Sequence, residues 1–238
     1  MIKFLDPIKN PARRARRYVR AFLGHELWLD RQVRRPSVRL GSYYGGWTVL
    51  PKLIGPKSIV YSFGIGDDIS WDLGMIDRFG VTVHGFDPTP RCVTWLRRQK
   101  LPEAFCFHEV GLANYDGQAT FVMRNSAPDW SSYNIASASE DAYENVTCPV
   151  QRLATIMKSL SHDYIDVLKL DIEGAEYDVL QDIMAGVVRT KQLLIEFHYF
   201  EDLERRLKDT KVAINGLNRD GYRIFSRSAS GYEFGFVR

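Results

Sequence analysis

Four ionisable side chains stand at the ends of two apolar runs, where together they could move a proton or hold a cation. Val167-Leu168-Lys169-Leu170 leads into Asp171, and Ile172-Glu173-Gly174-Ala175-Glu176 follows at once. Leu193-Leu194-Ile195 leads in the same way into Glu196-Phe197-His198. Each run reads as a buried strand that ends in an acid. Residues two apart on a strand share a face, so Glu196 and His198 point the same way. Singly, each has an ordinary explanation: Asp171 or Glu173 caps a helix, Glu196 finds an ion-pair partner, and His198 is a satisfied histidine. Together, Asp171, Glu173, Glu196 and His198 form a candidate catalytic set. In one chemistry His198 is a general base oriented by Glu196 or Glu173, with Asp171 fixing a cofactor or acceptor. In the other, all four collect a divalent cation; oxygen-rich ligands with one imidazole suit magnesium, manganese or calcium.

A second constellation lies upstream. Residues 59–63 form a short apolar run that ends in Gly64-Ile65-Gly66, followed by Asp67 and Asp68 where a helix would be capped. Residues 81–86 form a second run that stops at Asp87. A strand, crossover helix and parallel strand place the glycine turn and Asp87 side by side at the carboxyl edge of a sheet, where nucleoside ligands bind. The glycines permit close approach to the backbone, and Asp87 can accept hydrogen bonds from a ribose diol. A dinucleotide fingerprint requires a third glycine where Ile69 stands, and Asp67 and Asp68 would repel the pyrophosphate it binds. A nucleoside cofactor without phosphates and with a cationic centre fits instead, which describes S-adenosylmethionine. The plainer alternative is that Gly64 and Gly66 make a tight turn and the two aspartates cap a helix.

The remaining elements must position these two groups. Helices are expected at 91–100, 153–160, from the segment 172–176 through about 185 and at 201–218, and strands at 105–110, 119–123 and 146–150. The third strand would end beside the base, which makes Glu109, Gly111 and Asn114 candidates to contact it. Residues 222–227 and 232–237 read as a closing hairpin, so alternating strands and helices predict a mostly parallel sheet with an antiparallel edge. Residues 124–144 lack periodicity and are read as an acceptor-binding lid, with disorder as the rival. Residues 40–47, rich in glycine and aromatics, form either a flap over the site or a turn pinning aromatics on the core.

With 238 residues, 45% apolar and 26% charged, the chain suits one large domain with a short extension. The net charge of +3 is unevenly spread: residues 1–39 carry eleven Lys/Arg against three acids, and the rest is net acidic. Residues 1–39 are therefore a basic helical extension and 40–238 the main domain. Residues 12–33 have helical spacing, with arginines opposite an apolar stripe. Either the stripe packs on the domain, or residues 12–35 contact an anionic membrane or acidic partner. No apolar run approaches the ~20 residues of a membrane span, and no signal-peptide core precedes the domain, so a cytoplasmic address is expected. Cys92, Cys106 and Cys148 suggest neither a disulfide framework nor a zinc site.

V-Y-S-F-G-I-G-D-D-I-S-W-D, G-F-D-P-T-P, L-K-L-D-I-E-G-A-E-Y-D-V-L and L-L-I-E-F-H resemble, in order and spacing, the FkbM-type S-adenosylmethionine-dependent methyltransferases. The resemblance covers roughly residues 40–238, and K-L-D-I-E-G-A-E is its most specific part. It implies a Rossmann-like α/β fold, a class I methyltransferase with a mostly parallel seven-stranded sheet and a reversed terminal hairpin. It also implies methyl transfer to a hydroxyl of a small molecule or saccharide. By the resemblance, Gly64 and Gly66 pack on the methionine part, Asp87 holds the ribose, and Asp171 lies near the amino-acid and methyl end. One departure is Ser62, where many class I enzymes carry an acid; the methionine amino group must then find Asp67, Asp68, Asp72 or Asp171. Two other classes are an RNA methyltransferase recruited by the basic extension and a non-catalytic module that keeps the fold. Against RNA, no Asn/Asp-Pro-Pro-aromatic motif follows Asp171, and no DNA partner is expected.

Overall fold

The computed structural model describes residues 19, 21, 27, 29–124, 134–135, 142–186, 188–198 and 203–238. Strands β1 (Val38–Leu40) and β2 (Trp47–Val49) form a short antiparallel hairpin. Next come β3 (Ile59–Phe63), α1 (Ser70–Phe79), β4 (Thr82–Phe86), α2 (Pro90–Leu96) and β5 (Phe105–His108). A run of strands follows: β6 (Gly111–Leu112), β7 (Gly117–Arg124), β8 (Asn134–Ile135) and β9 (Ala142–Gln151). The chain then makes α3 (Leu153–Ser159), β10 (Ile165–Leu170), α4 (Glu176–Ala185), β11 (Thr190–Glu196) and α5 (Leu203–Arg219). It closes with β12 (Arg223–Arg227) and β13 (Glu233–Val237).

Seven strands form the main sheet in the order β12-β13-β11-β10-β3-β4-β5. The pairs β11/β10, β10/β3, β3/β4 and β4/β5 are parallel, and β13 runs against both of its neighbours. This is the doubly wound, Rossmann-like α/β architecture with one reversed strand, as the alternating runs predict. Strands buried on both faces need apolar residues at nearly every position, and β3 and β10 supply them. Tyr61 and Phe63 face one core with Phe86, Leu168, Leu170 and Ile195. Val60 faces the other with Val83, Val167, Leu194, Trp71 and Met75. Strand order reverses between β3 and β10, so a crevice opens where their carboxyl ends diverge.

Three expectations change. The strands foreseen at 119–123 and 146–150 lengthen into β7 and β9 and leave the main sheet for a separate four-stranded one, ordered β6-β9-β7-β8. The stretch 124–144 is thus no single loop: β8 pairs with β7, and β9 already begins at Ala142. The lid and disorder readings of 125–133 and 136–141 fall outside the described residues. Residues 40–47 are the turn of the β1/β2 hairpin, and residues 38–40, for which no element was expected, are strand.

Most of the basic extension also lies outside the described residues. The helical spacing expected to reach Val33 stops short of it, because residues 29–33 are not helical. There the main chain docks along β12: the amides of Gln32 and Val33 donate to the Ile224 carbonyl at 2.8 and 3.0 Å. Arg227 donates to the carbonyls of Leu27 and Leu29, and Leu27 is buried in the core. Among the described residues no helix is long and apolar enough to cross a membrane.

Candidate active site

The glycine turn is shaped by what it abuts. Gly64 has φ +76°, and a β-carbon there would overlap the carbonyl oxygen of Asp171 at the tip of β10. Only glycine meets both conditions. Gly66, at φ +56°, has open space where a β-carbon would lie, so a ligand can approach its backbone. Asp87 braces this turn. Its Oδ2 accepts from the amides of Ile65 and Gly66 at 3.2 and 3.1 Å, and its Oδ1 accepts from the amide and hydroxyl of Thr89 at 2.9 and 2.6 Å. Asp87 and Asp67 both line the cleft.

Helix α1 starts at Ser70, later than the aspartate pair suggests. Asp68 still serves its first turn, since its Oδ1 accepts from the Ser70 amide at 2.8 Å. Its Oδ2 takes the Ser42 hydroxyl at 2.5 Å, which pins the β1/β2 turn to the glycine turn. Burial raises the Asp68 pKa, but the hydrogen bonds from Ser42 and Ser70 prevail and hold it below the usual carboxylate range.

Four candidates are not part of the cleft wall: Asn114, exposed in the turn before β7, and Asp72, Ser62 and Glu109. Asp72 faces inward from α1 and is only 1% exposed, and burial pushes its pKa up to about 6 against the opposing pull of Lys169. Ser62 is fully buried in β3, paired in register with Lys169 of β10. Glu109 lies on the surface with its carboxylate 2.9 Å from Arg97 Nη2. Gly111, by contrast, does line the cleft beside Phe86, Pro88, Leu112 and Phe121.

On the other side of the turn, Asp171, Glu173, Glu196 and His198 do converge, joined by Lys169 and Glu233. His198 Nε2 lies 3.4 Å from Glu173 Oε2 and 3.8 Å from Asp171 Oδ1. Its other nitrogen, Nδ1, is 2.7 Å from Glu176 Oε1. The orienting carboxylate is therefore Glu176, fully buried in the first turn of α4, and not Glu196 or Glu173 as expected. Glu176 Oε1 also accepts from the Gly174 amide at 3.0 Å, fixing the connection between β10 and α4. In that connection Glu173 has φ +51°, a left-handed conformation unfavourable for a residue with a side chain.

Crowding sets the protonation of this wall. Burial disfavours charge on Glu173 and pushes its pKa up to about 8, with His198 opposing and Asp171 adding to the rise. Glu196 also rises to about 8, through burial first and Asp171 second. Burial opposes charge on His198 too, yet Glu176, Glu173 and Asp171 outweigh it and lift its pKa well above 6.5. An imidazole that keeps its proton at neutral pH is a donor, which counts against the general-base role expected for it. Ligand atoms of Asp171, Glu196 and His198 all lie within 4.8 Å of one another, a spacing that could hold a cation.

Glu176, Lys169 and Glu233 were missed by reasoning from sequence. For Lys169 the signal was present: a lysine inside a buried strand, two residues before Asp171, shares its face and needs a reason to be there. Glu176 could have been suspected from its place one helical turn after Glu173. Glu233 enters from the reversed strand β13, which pairs it with Glu196 across the sheet. Only that pairing brings it to the site.

The whole cleft measures about 780 Å³, within the range of sites that take a cofactor-sized ligand. Comparison with known proteins agrees with this geometry. The chain is 30% identical over 142 residues to a protein of Rattus norvegicus named "Probable methyltransferase-like protein 24", and 29% identical over 142 residues to its Homo sapiens namesake. Each match covers 58% of this chain and 32% of the relative, so the chain spans about a third of their length. A model of the methyltransferase FkbM domain matches residues 64–224, more than half of the chain. The chain belongs to the FkbM methyltransferase family.

Proposed function

We propose that the protein is a methyltransferase that uses S-adenosylmethionine and methylates a hydroxyl of a small molecule or saccharide. The observation that carries this reading is the joining, in one cleft, of a glycine turn braced by Asp87 and a wall of carboxylates around His198. The cofactor would supply an electrophilic methyl group on a sulfonium. Open space at Gly66 and the apolar patch of Phe86, Leu112 and Phe121 suit its nucleoside.

The chain's own task is to orient the acceptor hydroxyl and remove a proton whose unperturbed pKa is far above 7. Glu173 is the proton acceptor in this reading. Its carboxylate lines the cleft, its pKa near 8 suits proton transfer at mildly basic pH, and its backbone is held in a strained conformation. His198, held by Glu176, donates from Nε2 and fixes the acceptor or Glu173. Tyr44 is exposed at the mouth and offers its ring face to a sugar or other apolar-faced acceptor. Seven acids line the cleft, namely Asp67, Asp68, Asp87, Asp171, Glu173, Glu196 and Glu233, which disfavours the phosphates of RNA.

The test uses methyl-labelled cofactor with a panel of saccharides and small hydroxyl compounds, followed by mass spectrometry. Glu173→Gln should leave cofactor affinity within about twofold and lower turnover by about 10²–10⁴. Turnover kept by that variant would remove the proton-acceptor assignment. A second reading rests on the Asp171, Glu196 and His198 trio. Those residues suit a divalent cation that lowers the acceptor's pKa. Activity and manganese binding that both vanish on chelation and return with the metal favour it; full activity after exhaustive chelation rules it out.

A further inference from the structure

We propose that Lys169 binds the α-carboxylate of the cofactor's amino-acid portion while Asp171 takes its α-ammonium, so that the end of β10 is a clamp for a zwitterion. This rests on the cofactor reading above and assigns the part of the site that the departure at Ser62 left open.

The cleft is polar at one end and apolar at the other. Phe86, Pro88, Leu112 and Phe121 line the side beyond β4, where a base belongs. Across the glycine turn lie Lys169 and Asp171, on one face of β10. A ligand with an apolar base at one end and a zwitterion at the other has one orientation that satisfies both. Among the described residues lining the cleft, Lys169 is the one lysine or arginine, and seven acids share that lining. The protonated His198 already faces Glu176, Glu173 and Asp171, so Lys169 is the cation best placed for an entering carboxylate.

Lys169 is 5% exposed and incompletely paired for so buried a cation. Its Nζ donates to the Gly64 carbonyl at 2.8 Å and approaches the Phe63 carbonyl at 3.4 Å. The Asp171 Oδ2 atom is 3.9 Å away, beyond hydrogen-bonding distance. An ammonium has three donors, and the one short bond uses one of them. An α-amino acid carries its ammonium and carboxylate on the same carbon. Inserted beside Lys169 and Asp171 in opposite polarity, it converts their loose pair into two close ones.

The neighbours keep the lysine in place. Its Nζ lies 5.5 Å from the centre of the Trp47 ring, and the buried Asp72 attracts it from below. In the pairing of β3 with β10, Ser62 stands beside Lys169. An acid at that position would neutralise the lysine directly; serine leaves its charge to a ligand.

The experiment compares two probes by isothermal titration calorimetry. S-adenosylhomocysteine has the nucleoside, the sulfur and the zwitterion, whereas 5′-methylthioadenosine lacks the amino-acid portion. Lys169→Met is expected to weaken S-adenosylhomocysteine about 10- to 100-fold, the usual worth of one charge-assisted hydrogen bond, and to leave 5′-methylthioadenosine within twofold. Because loss of the lysine strands Asp72, Lys169→Met combined with Asp72→Asn is measured alongside, with melting temperatures for both. The same selective loss in either folded variant supports the clamp. Equal weakening of both probes shows that Lys169 acts only by bracing the Gly64 carbonyl, and unchanged S-adenosylhomocysteine affinity places the carboxylate elsewhere; either result overturns it. A wild-type protein that binds neither probe refutes the cofactor reading itself, and the clamp with it.

Discussion

Replacing Glu173 by glutamine should flatten the dependence of stability on pH. In the folded protein burial raises the Glu173 pKa from the ordinary 4.5 to about 8. A carboxyl whose folded pKa is raised keeps its proton in the folded state over a range where the unfolded chain has lost it. Stability therefore falls as pH climbs from about 4.5 to about 8, and the loss is complete above that. At 1.36 kcal/mol per unit, such a shift corresponds to about 5 kcal/mol if fully expressed. The side chain is 21% exposed and its charge is offset by His198, so about 2 kcal/mol is the reasonable expectation. Glutamine has nearly the same shape and no charge to bury. Urea denaturation at pH 5.5 and pH 9 should show wild type losing about 2 kcal/mol more than Glu173→Gln between the two. Parallel curves would mean that Glu173 ionises freely in the folded state. The proton-acceptor assignment would then lose its electrostatic basis.

Other outcomes follow from the same geometry. Gly64→Ala should lower the melting temperature by roughly 6–12 °C, because the added methyl overlaps the Asp171 carbonyl and the backbone at φ +76° resists it. Gly66→Ala, where space is open, should cost only about 1 kcal/mol in urea denaturation while weakening 5′-methylthioadenosine binding in calorimetry. With Glu176→Gln the carboxylate that most raises the His198 pKa is gone, so the imidazole resonance in an NMR titration should move to lower pH; an unmoved titration would contradict the Glu176 assignment. Tyr44→Ala should raise the acceptor KM about 5- to 10-fold and leave cofactor affinity unchanged, as read from steady-state kinetics.

The main sheet was legible because strands buried on both faces leave nearly continuous apolar runs, and because acids stand where those runs stop. Residues 59–63 match β3 for that reason, and the acids after β10 and β11 stand where the runs stop. The second sheet was not legible. β8 contributes only two residues, and nothing in a run of serine, asparagine and alanine distinguishes a strand returning to β7 from a loop. At the site, spacing brought Asp171, Glu173, Glu196 and His198 together but could not rank the carboxylates around the imidazole. That depends on the turn from β10 into α4, which swings Glu176 inward and leaves Glu173 facing the cleft. Asp72 and Glu109 failed as candidates for opposite reasons, one pointing into the core and the other tied to Arg97 on the surface. Sequence gives their distance along the chain and not their rotation about it.

The contact between Gly64 and the Asp171 carbonyl has a mechanical consequence. It joins the glycine turn and the strand end that carries Lys169, Asp171 and Glu173 at a single incompressible point, so neither can drift without pushing the other. On the proposed function, the gap across which the methyl travels is thereby gauged by the backbone itself. Diversification is left to the rim, where the turn carrying Tyr44 is tied to this gauge through the Ser42–Asp68 hydrogen bond and can be reshaped around a new acceptor without resetting it.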